Sequence, residues 1–352
     1  MSHPSPLAPS PTAAAAPRPA PRAALRTLVR SPWAGFLVRR TAALLGIAAS
    51  LVLLSFAMVR LIPGDPAVAI AGADAGPEEI AATRERLGLD LPLAEQFLAH
   101  VRGLLHGDLG TSFMYGRPVA ELIGNRLPFT LAIAVAGIVV TLAVAIPLGM
   151  GVAVLTRGGR RPRLDTAFGV VTGLLDAVPG YVLATGLVLL LALGVGLVPL
   201  LPPAYTGRAP VASLVLPVAA VVVGPICTLS RVVRRETGRV LGQDHMRTAR
   251  SWRLGAATLY LGHALPNILT TALTLSGLIL GGMLGGTLII EQVFSVPGLG
   301  SGMIKAILDR DLPVIQGMVL VVGLMVAIVN LAVDVLLALV DPRTLGGRHD
   351  VA

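Results

Sequence analysis

The sequence predicts an all-α membrane protein with six transmembrane helices. Composition is the first reason: of 352 residues, 54% are hydrophobic and only 13% charged, whereas soluble domains carry roughly a quarter charged residues. The second is length. About 20 apolar residues cross the hydrocarbon core, and six stretches qualify, at about 42–62, 128–155, 166–195, 211–230, 265–290 and 313–340. Several exceed the minimum, so tilt or ends outside the lipid is expected. The third is that the charges between the stretches sort by side.

Positive loops stay in the cytoplasm. The chain to residue 40 has six arginines and no acid, and the 156–165 loop has Arg157, Arg160, Arg161 and Arg163 against Asp165. The 231–262 loop has seven arginines against Glu236 and Asp244. All three fall on one side if the N-terminus is cytoplasmic. The 63–127 segment, with nine acids and five bases, falls on the other. Residues 1–35, rich in Pro and Ala, read as a disordered cytoplasmic tail. Residues 36–345 form the transmembrane domain, and 346–352 a short C-terminal tail. The first apolar run is too long for a cleaved signal peptide, and no small-residue cleavage site follows it.

The external 63–127 segment reads as a helical cap. Pro77-Glu78-Glu79 opens a helix, with proline in the first turn and acids at the positive dipole end, and Gly88 stops it. Pro92 opens a second helix that stops at Gly107. A third, from Pro118 to Arg126, leads into the second span. Such a cap either shields a pore mouth or offers an external partner a docking surface.

The net charge of +9 resides almost wholly in arginine, Lys305 being the single lysine. A pI near 11.0 suits nucleic acid. Yet there are only seven Phe, four Tyr and two Trp, and the basic residues sit at helix ends. Topology and anionic lipid explain the charge better, so the bilayer is the expected partner and nucleic acid is not. Cys227 is the only cysteine, which excludes an intrachain disulfide. Lys305 lacks the glycine-rich context of a phosphate-binding loop, and Gly298-Leu299-Gly300-Ser301-Gly302 reads as an external turn. No His-Glu-x-x-His motif occurs. No catalytic or metal-binding residue is assigned.

The 231–262 loop is long enough for a short helix. On a helix, Leu241, His245, Ala249 and Trp252 fall on one face at spacings of four, four and three. That stripe suits helix-in-groove recognition, with small Ala249 permitting close approach and Trp252 as anchor. Arg247, Arg250 and Arg253 can pair with carboxylates through their planar forks. The alternative is a helix lying on anionic lipid.

Within the spans, ionisable groups cost about 2.5–3.5 kcal/mol at mid-membrane on insertion scales and mark candidate functional positions. Asp176 lies three residues before Pro179, which should kink the third span. Asp176 either faces a cavity, where it would attract a cation, or bonds to a neighbouring helix. Gly277, Gly281 and Gly285 repeat at four-residue spacing, which lets helices approach closely or slide at a gate. Asn330 and Asp334 share a face of the last span and suit helix–helix bonding.

Several strings carry a family resemblance over about residues 36–345. The first span ends Arg60-Leu61-Ile62-Pro63-Gly64-Asp65-Pro66-Ala67. Gly107-Asp108-Leu109-Gly110-Thr111-Ser112 and Arg126-Leu127-Pro128-Phe129-Thr130-Leu131 follow. Later come Glu291-Gln292-Val293-Phe294-Ser295-Val296-Pro297-Gly298-Leu299-Gly300, Arg310-Asp311-Leu312-Pro313, Val333-Asp334 and Asp341-Pro342-Arg343. In this order and spacing they resemble the ABC-importer permeases of the dipeptide/oligopeptide/nickel class.

The resemblance implies a type I importer fold without catalysis of its own. It implies a second homologous permease, two cytosolic ABC ATPases that use ATP and Mg, and an extracytoplasmic substrate-binding protein, all at a bacterial inner membrane. It also implies that Leu241, Asp244, His245, Arg247, Thr248, Ala249, Arg250, Trp252 and Arg253 form or flank the helix that couples to the ATPase. Two departures stand out: Arg247 replaces the leading glutamate of the general pattern, as is usual in the peptide class, and Arg253 stands where a glycine normally ends the helix. A secondary transporter or channel is the competing reading. It predicts ion-coupling carboxylates at midplane and repeated halves, of which only Asp176 is present.

Overall fold

A computed structural model of the chain describes residues 32–61, 66–71, 75–86, 88–193, 201–252 and 255–340. The expectations for the N-terminal tail to residue 31, residues 62–65 of the first quoted string, Arg253 and the residues from 341 onward lie outside them, as do the side chains of Arg60, Arg247 and Arg250.

Helix α1 spans Pro32–Leu61. It starts ten residues before the predicted span and includes residues assigned to the tail. The early start is held by contacts: Trp33 and Phe36 pack against Val335 and Ala338 of the last helix, and Arg40 pairs with Asp334 at 2.8 Å. Asp334 thus makes the helix–helix bond expected of it.

The cap comprises α2 (Pro66–Ala71), α3 (Pro77–Arg86) and α4 (Leu93–Leu105). Gly88 and Gly107 sit past the ends of α3 and α4 with φ of 64° and 78°, the left-handed conformation that closes helices at low cost for glycine. The third predicted cap helix is not separate. Residues 119–127 are the first turns of α5, Val119–Leu155, which runs through Pro128 and Pro147. Each proline removes one backbone bond, while burial of Val119 and Ile123 against the last helix keeps the leading turns in register.

The third span is broken. Helices α6 (Pro162–Ala177) and α7 (Gly180–Leu187, continued by a wide turn Val188–Ala192) meet at 92° around Val178-Pro179. Helix α8 (Pro210–Leu241) follows, then a two-residue turn and α9 (Asp244–Ser251). A wide helical turn, Thr258–Ala264, leads into α10, Leu265–Val293. A short helix α11 (Leu299–Leu308) precedes α12 (Leu312–Val340). Among the described residues, five helices are long and apolar enough to cross a membrane, and the bent α6–α7 pair makes six if counted as one span.

Helices α5 and α8 pack along much of their length, α10 contacts both, and α12 joins α10 to α1. At Gly149 the α5–α8 approach is so close that a Cβ would stand 2.5 Å from the Ser230 carbonyl oxygen. Gly277 serves the same purpose between α10 and α12, where a Cβ would meet Val333 at 2.9 Å.

Candidate functional site

The arginine-rich loop does contain a short helix, but its faces are not those predicted. Met246 and Ala249 are 0% and 6% exposed and belong to a core cluster with Leu241, Leu229, Ala145 and Ile268. Leu241 and Ala249 therefore leave the expected docking stripe and face the protein's own interior. A periodicity argument identifies a face without saying what covers it, and here α8 and the Thr258–Ala264 turn do. His245, Thr248, Ser251 and Asp244 remain exposed. Trp252, just past the helix end, is 73% exposed. A large aromatic side chain left so open on a rigid mount is the residue type that anchors protein interfaces. Met246, absent from the sequence-based set, is the residue that fixes the helix to the spans.

The second feature is a cavity of about 630 Å³ between the break in the third span, α8 and α10. Asp176, Pro179, Gly224, Thr228, Gly282 and Gly286 are among its lining residues. Non-helical backbone at membrane depth is tolerated where it is buried in protein or lines a water-filled cavity, and the Val178-Pro179 break lies on this wall. Pro179 compensates in part by accepting from Val182 N at 2.9 Å and Leu183 N at 3.2 Å.

The glycine prediction divides. Gly277 and Gly281 pack against Val333, Val326 and Asn330 of α12, away from the cavity. Gly285 has open space beside it. The glycines on the cavity wall are Gly282 and Gly286, the neighbouring register. Asp176 does both things weighed for it: it lines the cavity, and it bonds to α8, accepting from Thr228 Oγ1 at 3.1 Å and Arg231 Nη2 at 2.5 Å.

The end of the bundle beside the cap is locked by two buried carboxylates. Glu291 Oε1 accepts from Thr130 Oγ1 at 2.7 Å, and Oε2 accepts from Gly300 N at 2.7 Å and Ser301 N at 3.1 Å. Thr130 Oγ1 accepts in turn from Leu299 N at 2.8 Å. Three N–H groups at the start of α11 are thus satisfied, as a helix N-terminus requires. The Gly298–Gly302 run is therefore a helix start capped from a distance rather than a free turn. Side chains at Gly298 or Gly300 would collide with Glu291 or Leu288. Asp311, 1% exposed, accepts from Ser112 Oγ and from the backbone N of Phe113, tying the cap loop to α12.

Residues 145–346 match the family described as "Binding-protein-dependent transport system inner membrane component", and residues 34–134 match its N-terminal companion. The chain belongs to this family. The importer permease is 36% identical over 317 residues to a putative peptide transport system permease protein of Brucella abortus strain 2308, covering 89% of this chain and 99% of that one. It is 35% identical over 338 residues to the dipeptide transport system permease protein DppB of Escherichia coli K12, covering 88% and 98%. Among solved structures it resembles the MetNI methionine ABC transporter in inward-facing conformations, with a TM-score of 0.52 and 16% identity over 62% of this chain and 96% of that one. That likeness supports the fold. Both family matches span the strings quoted above, and the α9 segment lies inside the larger of them.

Proposed function

We propose that this importer permease moves di- or oligopeptides inward across the bacterial plasma membrane, with its N-terminus in the cytoplasm and no catalytic step of its own. It pairs with a second homologous permease across the cavity face. Two cytosolic ABC ATPases, which bind and hydrolyse ATP with Mg, grip the exposed side of α9 at His245, Thr248 and Trp252. A peptide-loaded binding protein docks on the external cap formed by α2–α4. The transport names of the relatives support the peptide reading.

The observation that carries the mechanism is the mounting of α9. Its outer side is open, while Met246 and Ala249 fasten it to α8 and to the Thr258–Ala264 turn that runs into α10. A push on α9 therefore has to move the helices that wall the cavity, because a close-packed interior transmits strain. Closure of the ATPase pair tilts α8 and α10, and the cavity changes the side it opens to.

Co-purification in mild detergent and reconstitution test this reading. The permease should emerge with ATPase subunits, and peptide uptake into proteoliposomes should require ATP and the binding protein. Peptide uptake by the purified chain without ATPases would refute it.

A further inference from the structure

The cavity wall holds an acid, Asp176, whose basic partner Arg231 stands behind it, outside the lining residues, in a pair that the transport cycle above leaves unused. Arg231 Nη2 donates to Asp176 Oδ2 at 2.5 Å, and Thr228 Oγ1 lies 3.1 Å from both carboxylate oxygens. The second guanidinium nitrogen donates to the Thr172 carbonyl at 2.9 Å. The two side chains keep 31% and 28% of their surface exposed. Much of the remaining cavity lining is apolar or glycine, including Pro179, Gly282 and Gly286. One end of the cavity thus presents a carboxylate with a guanidinium directly behind it, and most of the rest offers little charge or hydrogen bonding.

A tie between α6 and α8 does not need charges. Apolar residues join helices in lipid by packing, and a partly exposed ion pair contributes little to stability. The pair therefore adds little as a tie, and the place of Asp176 at the cavity gives it something to recognise. A short peptide carries an ammonium and a carboxylate about 7 Å apart for two residues at 3.3–3.6 Å each. Arginine's planar fork matches a carboxylate bidentately, and its long stem lets it swing off Asp176 toward the cavity. The cavity volume falls within the roughly 300–1,000 Å³ typical of small-ligand sites.

We propose that the Asp176–Arg231 pair is a bipolar subsite for zwitterionic short peptides, opening so that Asp176 takes the substrate ammonium and Arg231 its carboxylate. When no substrate is present the two groups satisfy each other, so the cavity is never left with a lone charge. The proposal rests on the reading of the cavity as the peptide path.

The test uses the whole importer in proteoliposomes, with a dipeptide as substrate and uptake per ATP hydrolysed as the readout. The double variant Asp176→Leu/Arg231→Met removes the pair without stranding a charge. Uptake per ATP should fall at least tenfold. A ratio equal to that of the unmodified importer would make the pair a structural tie and overturn the proposal. Should the double variant fail to insert, Arg231→Lys keeps the ion pair and loses the fork. Its uptake per ATP should fall several-fold for a subsite, and an unchanged ratio would again overturn the proposal. If the unmodified importer hydrolyses ATP yet moves no dipeptide, the peptide reading itself fails and takes the subsite with it.

Discussion

Met246→Ala is the sharpest test of how α9 is attached. The side chain is fully buried in a cluster drawn from three other helices, with Ala145 on α5, Leu241 on α8 and Ile268 on α10. Truncation of a buried Met to Ala costs about 2–5 kcal/mol, the larger values arising where the site does not collapse. Collapse here requires α8 and the Thr258–Ala264 turn to close in together around a site with no exposed side, so about 3–5 kcal/mol is expected. Only Met246 and Ala249 of α9 belong to this cluster, and the loss therefore falls on the attachment of the helix. Since each 1.4 kcal/mol is tenfold, hydrogen exchange of the 244–251 amides should quicken at least 100-fold. In proteoliposomes ATP hydrolysis should continue while uptake per ATP drops. Unchanged exchange in α9 would refute the attachment, and full uptake per ATP despite faster exchange would refute its role in coupling.

Three further outcomes follow from the geometry. Glu291→Ala leaves the Gly300 and Ser301 N–H groups without their carboxylate; at about 1–3 kcal/mol for an unsatisfied buried group, thermal unfolding should show a clear loss, and Thr130→Val a smaller one. Gly149→Ala should cost about 1–3 kcal/mol through overpacking, because its Cβ meets Ser230 backbone, whereas Gly151→Ala has nothing within 4 Å and should leave the melting curve unchanged. In the cap, burial lowers the His100 pKa below its ordinary 6.5. Its Nε2 stands 3.3 Å from Ser55 Oγ. The folded cap therefore resists protonation: its stability is intact above pH 6.5 and declines as pH falls through the lowered value. Proteolysis of the 93–105 helix should quicken over that window, and His100→Gln should abolish the dependence.

Much of this architecture is legible in the sequence because lipid imposes simple rules. Apolar length located the spans, and Gly88, Pro92 and Gly107 marked cap-helix ends that the structure reproduces within a residue or two. Pro179 announced the break in the third span, although not a 92° turn. What escaped was relational. Ala249 and Trp252 share a helical stripe in sequence, yet one is buried in the protein's own core and the other is open. Gly277 and Gly282 differ by five residues and serve different neighbours. Glu291 gives no local sign that it caps a helix beginning eight residues later, since the cap closes only when Thr130 arrives from α5. Asp176 could be recognised as important, but its partner Arg231, which lies on α8, reads in sequence as part of a loop whose charges serve topology and docking.

The central claim is that force enters through one side of α9 and leaves through the other. Cysteine placement measures it directly in a Cys227→Ser background, the native cysteine being buried. In the assembled importer Thr248→Cys should react with a membrane-impermeant maleimide only from the cytoplasmic side and should cross-link to an ATPase subunit. Ala249→Cys, one residue on but turned into the core, should do neither. Labelling of Thr248→Cys from outside, or cross-linking at Ala249→Cys and not at Thr248→Cys, would contradict it.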